Sequence, residues 1–169
     1  FETTAVTELG QRNLDNLTKM GMDVIHLKKN NEVYKKMVVE SFKSVGDEMW
    51  PNHIGIFTIP VMIAVKFNIP LIIWGAHQGL DQVGMFSHLD EVEMTRKYRK
   101  EHDLMGFEAE DLISEFDNII EQDIVQYKYP DDKEIERIGV RGIYLNNYIR
   151  WDSKAQHQEM IKLYNYESS

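Results

Sequence analysis

The sequence contains no cysteine. This absence excludes disulfide bonds, zinc sites built from thiolates and catalysis by a thiol nucleophile. It is compatible with a reducing compartment, and we expect the protein in the cytoplasm. The chain also lacks an apolar run of the ~20 residues that a membrane-spanning helix needs. Its best candidate, Ile59–Trp74, is interrupted by two prolines, a lysine and an asparagine, so we expect no membrane insertion.

The common phosphate-binding and nucleophile motifs are missing as well. Neither G-x-G-x-x-G nor G-x-x-x-x-G-K-[ST] occurs, and there is no G-x-S-x-G elbow. The sequence begins at Phe1 without an initiating methionine or a targeting segment. We therefore interpret it as part of a longer chain.

The composition that is present is that of an ordinary globular protein. The 169 residues are 43% hydrophobic and 11% aromatic, which suits a single domain with a core of its own. A net charge of −9 argues against nucleic acid and anionic membranes as partners. We expect one domain over residues 1–169, with an α/β core to about residue 86 and a largely helical portion over about 87–169.

Spacing of apolar residues predicts the first elements. A helix is expected over Thr7–Met20, followed by a short strand over Met22–Leu27. A second amphipathic helix is expected to start at a cap, Asn30 or Asn31, and to end at Gly46.

The stretch Trp50–Gly79 carries one formal charge in a chain that is 28% charged. We expect a loop over Met49–Gly55, a helix capped by Thr58 and ending near Phe67, and a strand over Ile69–Trp74. The strand is apolar at nearly every position, which is typical of strands buried on both faces. Helix–strand alternation then predicts an α/β fold with a doubly wound, mostly parallel sheet.

The remaining pattern is mainly helical. It predicts helices over about Ser87–His102 and Glu108–Ile120, a short helix between Asp131 and Gly139, an extended segment or strand over Val140–Leu145, and a last helix over Ser153–Tyr164.

The residues after the apolar strand are the first candidate site, because ligands of open α/β sheets collect beyond the carboxyl ends of strands. His77, Gln78 and Asp81 offer donors and acceptors that suit a polyhydroxylated ligand. An ordinary polar loop is an equally good interpretation. His77, Asp81 and His88 do not have the spacing of a metal signature, and we predict no metal site.

A second candidate is the pair Asn52 and His53, with a capping turn or surface loop as the alternative. The charged runs "FEAEDL", "YPDDKEIE" and "YRKEH" are interpreted as helix N-termini and a solvated helix face.

Four blocks of sequence resemble one known family. They are "GQRNLDNLTKMGMDVI", "WPNHIGIFTIPVMIAVKFNIPLIIWG", "GMFSHLDEVEMTRKYRKEHDLMG" and "YKYPDDKEIERIGVRGIYLNNYIRWDSKAQ". Together they resemble the N-acetyl sugar amidotransferases of surface-polysaccharide, lipopolysaccharide and nonulosonic-acid biosynthesis, in the PP-loop ATP pyrophosphatase group. The likeness runs from about Leu9 to Tyr166, with the blocks in the family's order.

The resemblance implies a fold and a reaction. The fold would be that of the adenine nucleotide alpha hydrolases, with a C-terminal helical extension. The reaction would be ATP-dependent amidation of an acetamido group on a nucleotide- or lipid-linked sugar, with ammonia from a separate glutaminase subunit. ATP and Mg²⁺ would be the cofactors of the complete protein. The family's S-G-G-x-D-S loop has no counterpart here, so this segment would lack the first strand and would bind no cofactor tightly.

Site residues follow from the matching positions. Trp74 and Gly75 match the end of the family's strand beside the nucleotide, and Asn52, His53 and Thr58 match pocket positions. Ala76 stands where many members have glutamate, which suggests a different sugar. The resemblance assigns no role to the matching pair Trp151–Asp152.

Two other functions stay open from sequence. One is a non-catalytic α/β module that binds a sugar nucleotide or a partner protein. The other, less favoured by the acidic, cysteine-free composition, is a different PP-loop activity such as tRNA thiolation. The sequence does not set the oligomeric state, and a homo-oligomer is one alternative.

Overall fold

The computed structural model describes residues 6–75, 92–115 and 118–168. The chain divides into two compact units, one formed by residues 1–29 with 150–169 and the other by residues 30–149.

The first unit pairs helix α1 (Glu8–Lys19) with helix α8 (Ser153–Tyr164). Both helices were predicted, and both begin at side-chain caps. The Thr7 hydroxyl accepts the Gly10 amide at 3.1 Å, and the Asp152 carboxylate accepts the Ala155 amide at 2.9 Å. Arg12 on α1 makes a two-pronged contact with Glu167 beyond α8.

The predicted strand over Met22–Leu27 is wrong, because these residues form no strand. A strand is stable when a neighbour takes its backbone hydrogen bonds and its apolar face is buried. Here Met22 and Ile25 are 43% and 54% exposed. The apolar pattern alone did not provide a sheet for them to join.

The second unit opens with helix α2 (Asn31–Val45), as predicted. The Asn30 side chain accepts the amides of Glu32 and Val33, at 3.0 and 3.4 Å. Gly46 ends the helix in the left-handed conformation (φ 74°), which glycine adopts without steric cost.

Helix α3 (Trp50–Phe67) is longer than predicted. The expected loop over Met49–Gly55 and the expected cap at Thr58 are both wrong, since both lie within or at the start of this helix. Pro51 sits in the first turn, where a missing N–H costs nothing, and Pro60 is accommodated in the helix interior. Asn68 ends α3 in the left-handed conformation, as the predicted stop requires.

Burial of α3 explains the low charge of its sequence. Its buried residues lie on most sides of the helix, and it packs against α2, the sheet and several later elements. A helix that is apolar nearly all round is a buried helix. The indole N–H of Trp50 is satisfied within the core, where it donates to the Leu104 carbonyl at 3.0 Å.

Within the described residues the sheet has three strands, β1 (Leu71–Trp74), β2 (Glu93–Met94) and β3 (Arg141–Tyr144), in the order β1-β3-β2. β1 and β3 are parallel, whereas β2 and β3 are antiparallel. The α/β class and the predicted strand near 140–145 are therefore confirmed. A doubly wound parallel sheet is not shown by this small mixed sheet.

The expectation that β1 is buried on both faces is wrong. Leu71 and Ile73 are 45% and 59% exposed, while Ile72 and Trp74 point to the other, more buried face. α3 packs on that second face, where the rings of Phe57 and Trp74 lie 5.6 Å apart. An uninterrupted apolar sequence therefore does not by itself mean that both faces of a strand are buried.

Short helical turns complete the second unit. They are α4 (Arg96–Tyr98) continuing as a π-helix (Arg99–Asp103), α5 (Asp111–Glu115), α6 (Glu121–Ile124) continuing as a 3₁₀ turn (Val125–Tyr127), and α7 (Asp132–Ile138). α7 has the predicted cap at Asp131 and ends at Gly139.

The structure does not contain the two long helices predicted over about Ser87–His102 and Glu108–Ile120 in the residues that it describes. Residues 87–91 of the first lie outside the described residues, and its remainder is β2 followed by the α4–π turn. The second is shorter than Glu108–Ile120, because α5 begins only at Asp111, after a turn at residues 109–110, and α6 starts with its own N-cap at Ile120. There the Asp123 carboxylate accepts the Ile120 amide at 3.3 Å. Among the described helices, none has the length and apolarity needed to cross a membrane.

A close approach in the sheet gives the first prediction. A Cβ atom on Gly142 would lie 3.0 Å from Trp74 Nε1 and 3.1 Å from Met94 Cβ. We expect Gly142→Ala to lower the free energy of unfolding by about 1–3 kcal/mol through overpacking. Urea unfolding measures it.

Trp74→Phe is the matched background, because it removes the indole nitrogen from this contact. In that background Gly142→Ala should lower the free energy of unfolding by a smaller amount. Equal costs in both backgrounds would contradict the proposed contact.

Candidate functional site

A fully buried arginine organises the second unit. Arg99, at the start of the π-helix, has no exposed surface. Its Nη1 donates to the Thr58 hydroxyl on α3 at 3.1 Å, and its Nη2 donates to both carboxylate oxygens of Glu108. The prediction that "YRKEH" is a solvated helix face is therefore wrong for Arg99. Packing, not the local charge pattern, decides its position.

Glu108 is likewise buried, at 7% exposure. Its run, "FEAEDL", was interpreted as a solvated helix N-terminus, and that interpretation is wrong for this residue. Burial of a carboxylate is tolerated because Arg99 neutralises it and supplies its hydrogen bonds. Asp111, in the same run, does cap the turn by accepting the Glu108 amide at 2.7 Å.

Tyr129 connects this buried pair to the surface. The Arg99 guanidinium carbon lies 4.0 Å from the centroid of the Tyr129 ring, and that of Arg96 lies 5.3 Å from it. These are cation–π distances. Arg96 also approaches Glu108, with its Nε 3.7 Å from Oε1. Burial raises the pKa of the Tyr129 phenol, so this ring stays neutral beside its two arginines.

Asp103, at the end of the π-helix, is a second buried carboxyl. It is 8% exposed, and burial raises its pKa to about 7, although the positive charge of Arg99 acts in the opposite direction. Its Oδ2 atom has no hydrogen-bond partner among the described residues. Near neutral pH this carboxyl is therefore partly protonated.

A cleft of about 300 Å³ opens beside Tyr129. We call it the sheet cleft, since it is formed by the three strands, α3, α4 and α7. Its lining residues are Val61, Ile72, Glu93, Met94, Thr95, Arg96, Tyr129, Asp132, Ile135, Glu136, Val140, Arg141 and Gly142.

Two ion pairs stand at this cleft. Arg141 on β3 binds Glu93 on β2 through both Nε and Nη2, and Arg96 donates from Nη1 to Asp132 at 3.2 Å. The Arg141 contact holds the pKa of Glu93 below its usual value, so Glu93 stays ionised at neutral pH. The arginines and carboxylates thus offer donors and acceptors side by side.

The candidate residues on α3 do not form one pocket. Asn52 is 2% exposed and accepts the Tyr34 hydroxyl at 2.7 Å, while Thr58 accepts Arg99. They are six residues apart on the helix, which places them roughly 120° apart around its axis, so they face different neighbours. His53 is partly exposed, and its Nδ1 lies 3.3 Å from Asp47 Oδ2.

Two further candidates, Trp74 and Gly75, lie at the end of β1. Trp74 is half-buried against Phe57, and Gly75 is exposed just beyond the strand. His77, Gln78 and Asp81, together with Ala76 and His88, lie outside the described residues. No group of three acidic, histidine or cysteine side chains able to hold a metal occurs in the described ranges.

The sequence interpretation missed the sheet cleft and the pair behind it. Arg96, Arg99 and Glu108 come from charged runs that look like solvent-facing helix surface. For Arg99 and Glu108 a local signal was the aromatic residue directly before each, Tyr98 and Phe107. The contact of Arg141 with Glu93 joins residues 48 positions apart, which no local pattern encodes.

Comparison with models of known protein families finds no match, and comparison with curated proteins finds no relative either.

The buried pair gives the second prediction. Glu108→Ala leaves the Arg99 charge buried without its carboxylate, and we expect a loss of about 3–5 kcal/mol in the free energy of unfolding. Urea unfolding measures it, with the exposed neighbour Glu110→Ala as the control. The apolar double variant Arg99→Met with Glu108→Leu should cost less than the single one. Equal costs for Glu108→Ala and Glu110→Ala would refute the role of the pair.

Asp103 gives the third prediction. Its folded-state pKa, about 7, lies above the ordinary aspartate value of 3.8, so between these pH values the folded state holds a proton that the unfolded state has lost. The free energy of unfolding should therefore fall as pH rises from about 4 to 7. Asp103→Asn should remove this part of the fall. Compared with the wild type at the same pH, the variant should therefore be more favoured at pH 8 than at pH 5.

Urea unfolding at several pH values checks the effect. Asp132→Asn, an exposed carboxyl, should retain the Asp103 contribution to the pH slope. A slope in Asp103→Asn that equals the wild-type slope would count against the assignment.

Proposed function

We propose that this chain is part of the synthetase subunit of an N-acetyl sugar amidotransferase of the PP-loop ATP pyrophosphatase group. The observation that carries the proposal is the co-linear resemblance of four sequence blocks over about Leu9–Tyr166. A chance match to one short motif is common, whereas four blocks in the family's order are far more specific.

The proposal includes the finer fold, a doubly wound, mostly parallel sheet of the adenine nucleotide alpha hydrolase type. Two features support it. β1 and β3 are parallel neighbours, and the buried helix α3 leads directly into β1 and packs on it. This helix–strand order is the repeating unit of doubly wound sheets.

In the proposed reaction the acetamido oxygen attacks the α-phosphorus of ATP and releases pyrophosphate. The adenylated oxygen is then a good leaving group. Ammonia adds to the carbonyl carbon of the acetamido group, and AMP departs with the oxygen, which leaves an acetamidino group. ATP with Mg²⁺ and ammonia from a glutaminase partner are the components that this proposal requires. The sugar would belong to surface-polysaccharide or lipopolysaccharide biosynthesis.

The nucleotide and the reacting group are proposed to meet beyond the carboxyl end of β1. Parallel strands end at the same edge of a sheet, and Trp74 and Gly75 lie at that edge beside Tyr144 of β3. His77, Gln78 and Asp81 follow within a few residues in the sequence. Asn52 has its side chain engaged with Tyr34, so we propose a supporting role for it.

The fourth prediction tests the reaction. The protein as encoded by its gene should release AMP and pyrophosphate from ATP only when a nucleotide-linked N-acetyl sugar and an ammonium salt are both present. Chromatography of labelled ATP measures AMP, and mass spectrometry of the sugar identifies the acetamidino product.

Omission of the sugar and omission of ammonium are the two controls. AMP release that ignores both would contradict the proposal. Sugar binding without any AMP release would instead favour the non-catalytic module.

A further inference from the structure

The sheet cleft offers hydrogen-bonding groups held in place before any ligand arrives. The two-pronged contact with Glu93 uses only part of the Arg141 guanidinium, which leaves further N–H donors for a ligand. The carboxylates of Glu93 and Asp132 keep lone pairs in the same way. Both pairs are partly exposed, with 64% of the Arg141 side chain and 63% of the Asp132 side chain accessible, so a ligand in the cleft can reach these groups.

Charge balance at the cleft disfavours an anionic ligand. Arg96 and Arg141 are each paired with a carboxylate, and Glu136 adds a further negative charge to the lining. A phosphate would have to displace Glu93 or Asp132 from its arginine. A neutral ligand with hydroxyl groups can instead accept from the arginines and donate to the carboxylates.

Apolar side chains form another part of the cleft lining. Val61, Ile72, Ile135 and Val140 supply hydrocarbon surface against which the C–H face of a sugar ring packs. Its volume, about 300 Å³, is at the lower end of small-molecule pockets, which span roughly 300–1,000 Å³. This size suits one ring and is small for a whole sugar nucleotide.

We propose that the sheet cleft binds one neutral pyranose ring. Arg141 and Glu93 hydrogen-bond its hydroxyl groups, and the apolar wall of α3 and β1 takes its C–H face. The inference goes beyond the proposed function, because the cleft is separate from the edge beyond Trp74 and Gly75, and it rests on that function only for the choice of an N-acetyl sugar as the first probe.

The experiment is an NMR titration of the isotopically labelled protein with N-acetylglucosamine, glucose and inorganic phosphate in parallel. Either sugar should shift the signals of the Ile72 and Val61 methyl groups and of the Gly142 amide. Phosphate should leave these signals in place. Shifts with phosphate and none with the sugars would overturn the proposal, as would the absence of shifts with all three.

Variants locate the site. Arg141→Ala and the near-isosteric Glu93→Gln should each weaken sugar binding roughly tenfold or more, since each removes a charged hydrogen-bonding partner. Arg137→Ala is the matched control, because Arg137 lies on α7 and does not line the cleft. Equal affinity in all three variants would overturn the assignment.

The two proposals can fail separately. The titration contains neither ATP nor ammonium, so it measures the cleft alone. Sugar binding at the cleft without AMP release would leave this inference standing and remove the amidotransferase.

Discussion

The buried pair of Arg99 and Glu108 is the interaction on which the second unit depends. A fully buried guanidinium is tolerated where its charge is neutralised and most of its donors are used, and of the Arg99 nitrogens only Nε has no hydrogen-bond partner among the described residues. Glu108 supplies the charge, Thr58 takes a further N–H, and the Tyr129 ring covers one face. Through these contacts one side chain ties the π-helix to α3, to the turn before α5 and to the segment before α7.

Helix α3 supplies the apolar body around that pair. It is buried on most sides, and Trp50 at its start is anchored to the end of the π-helix by a hydrogen bond to Leu104. Thr58 lies inside this helix, where its hydroxyl accepts a hydrogen bond from Arg99, and it does not cap a helix. The same helix covers one face of β1 and forms one wall of the sheet cleft through Val61.

The polar network and the cleft are continuous. Tyr129 is contacted by buried Arg99 and lines the cleft, and Arg96 lies between Glu108 inside and Asp132 outside. The buried pair is therefore in direct contact with side chains that line the cleft. The edge beyond Trp74 and Gly75, where the proposed adenylation would take place, is a different part of the same small sheet.

Sequence by itself determined the elements whose signals are local. The caps Thr7, Asn30, Asp131 and Asp152, with the closing glycines Gly46 and Gly139, set the bounds of α1, α2, α7 and α8, because capping acts within one turn of the chain. The α/β class followed from the alternation of predicted helices and strands. Only the tertiary structure decided that Trp50–Phe67 is one helix, that one face of β1 is open and that Arg99 is buried. Those outcomes depend on partners such as Glu108 and Arg141, which are distant in sequence from the residues they contact, and no local period records them.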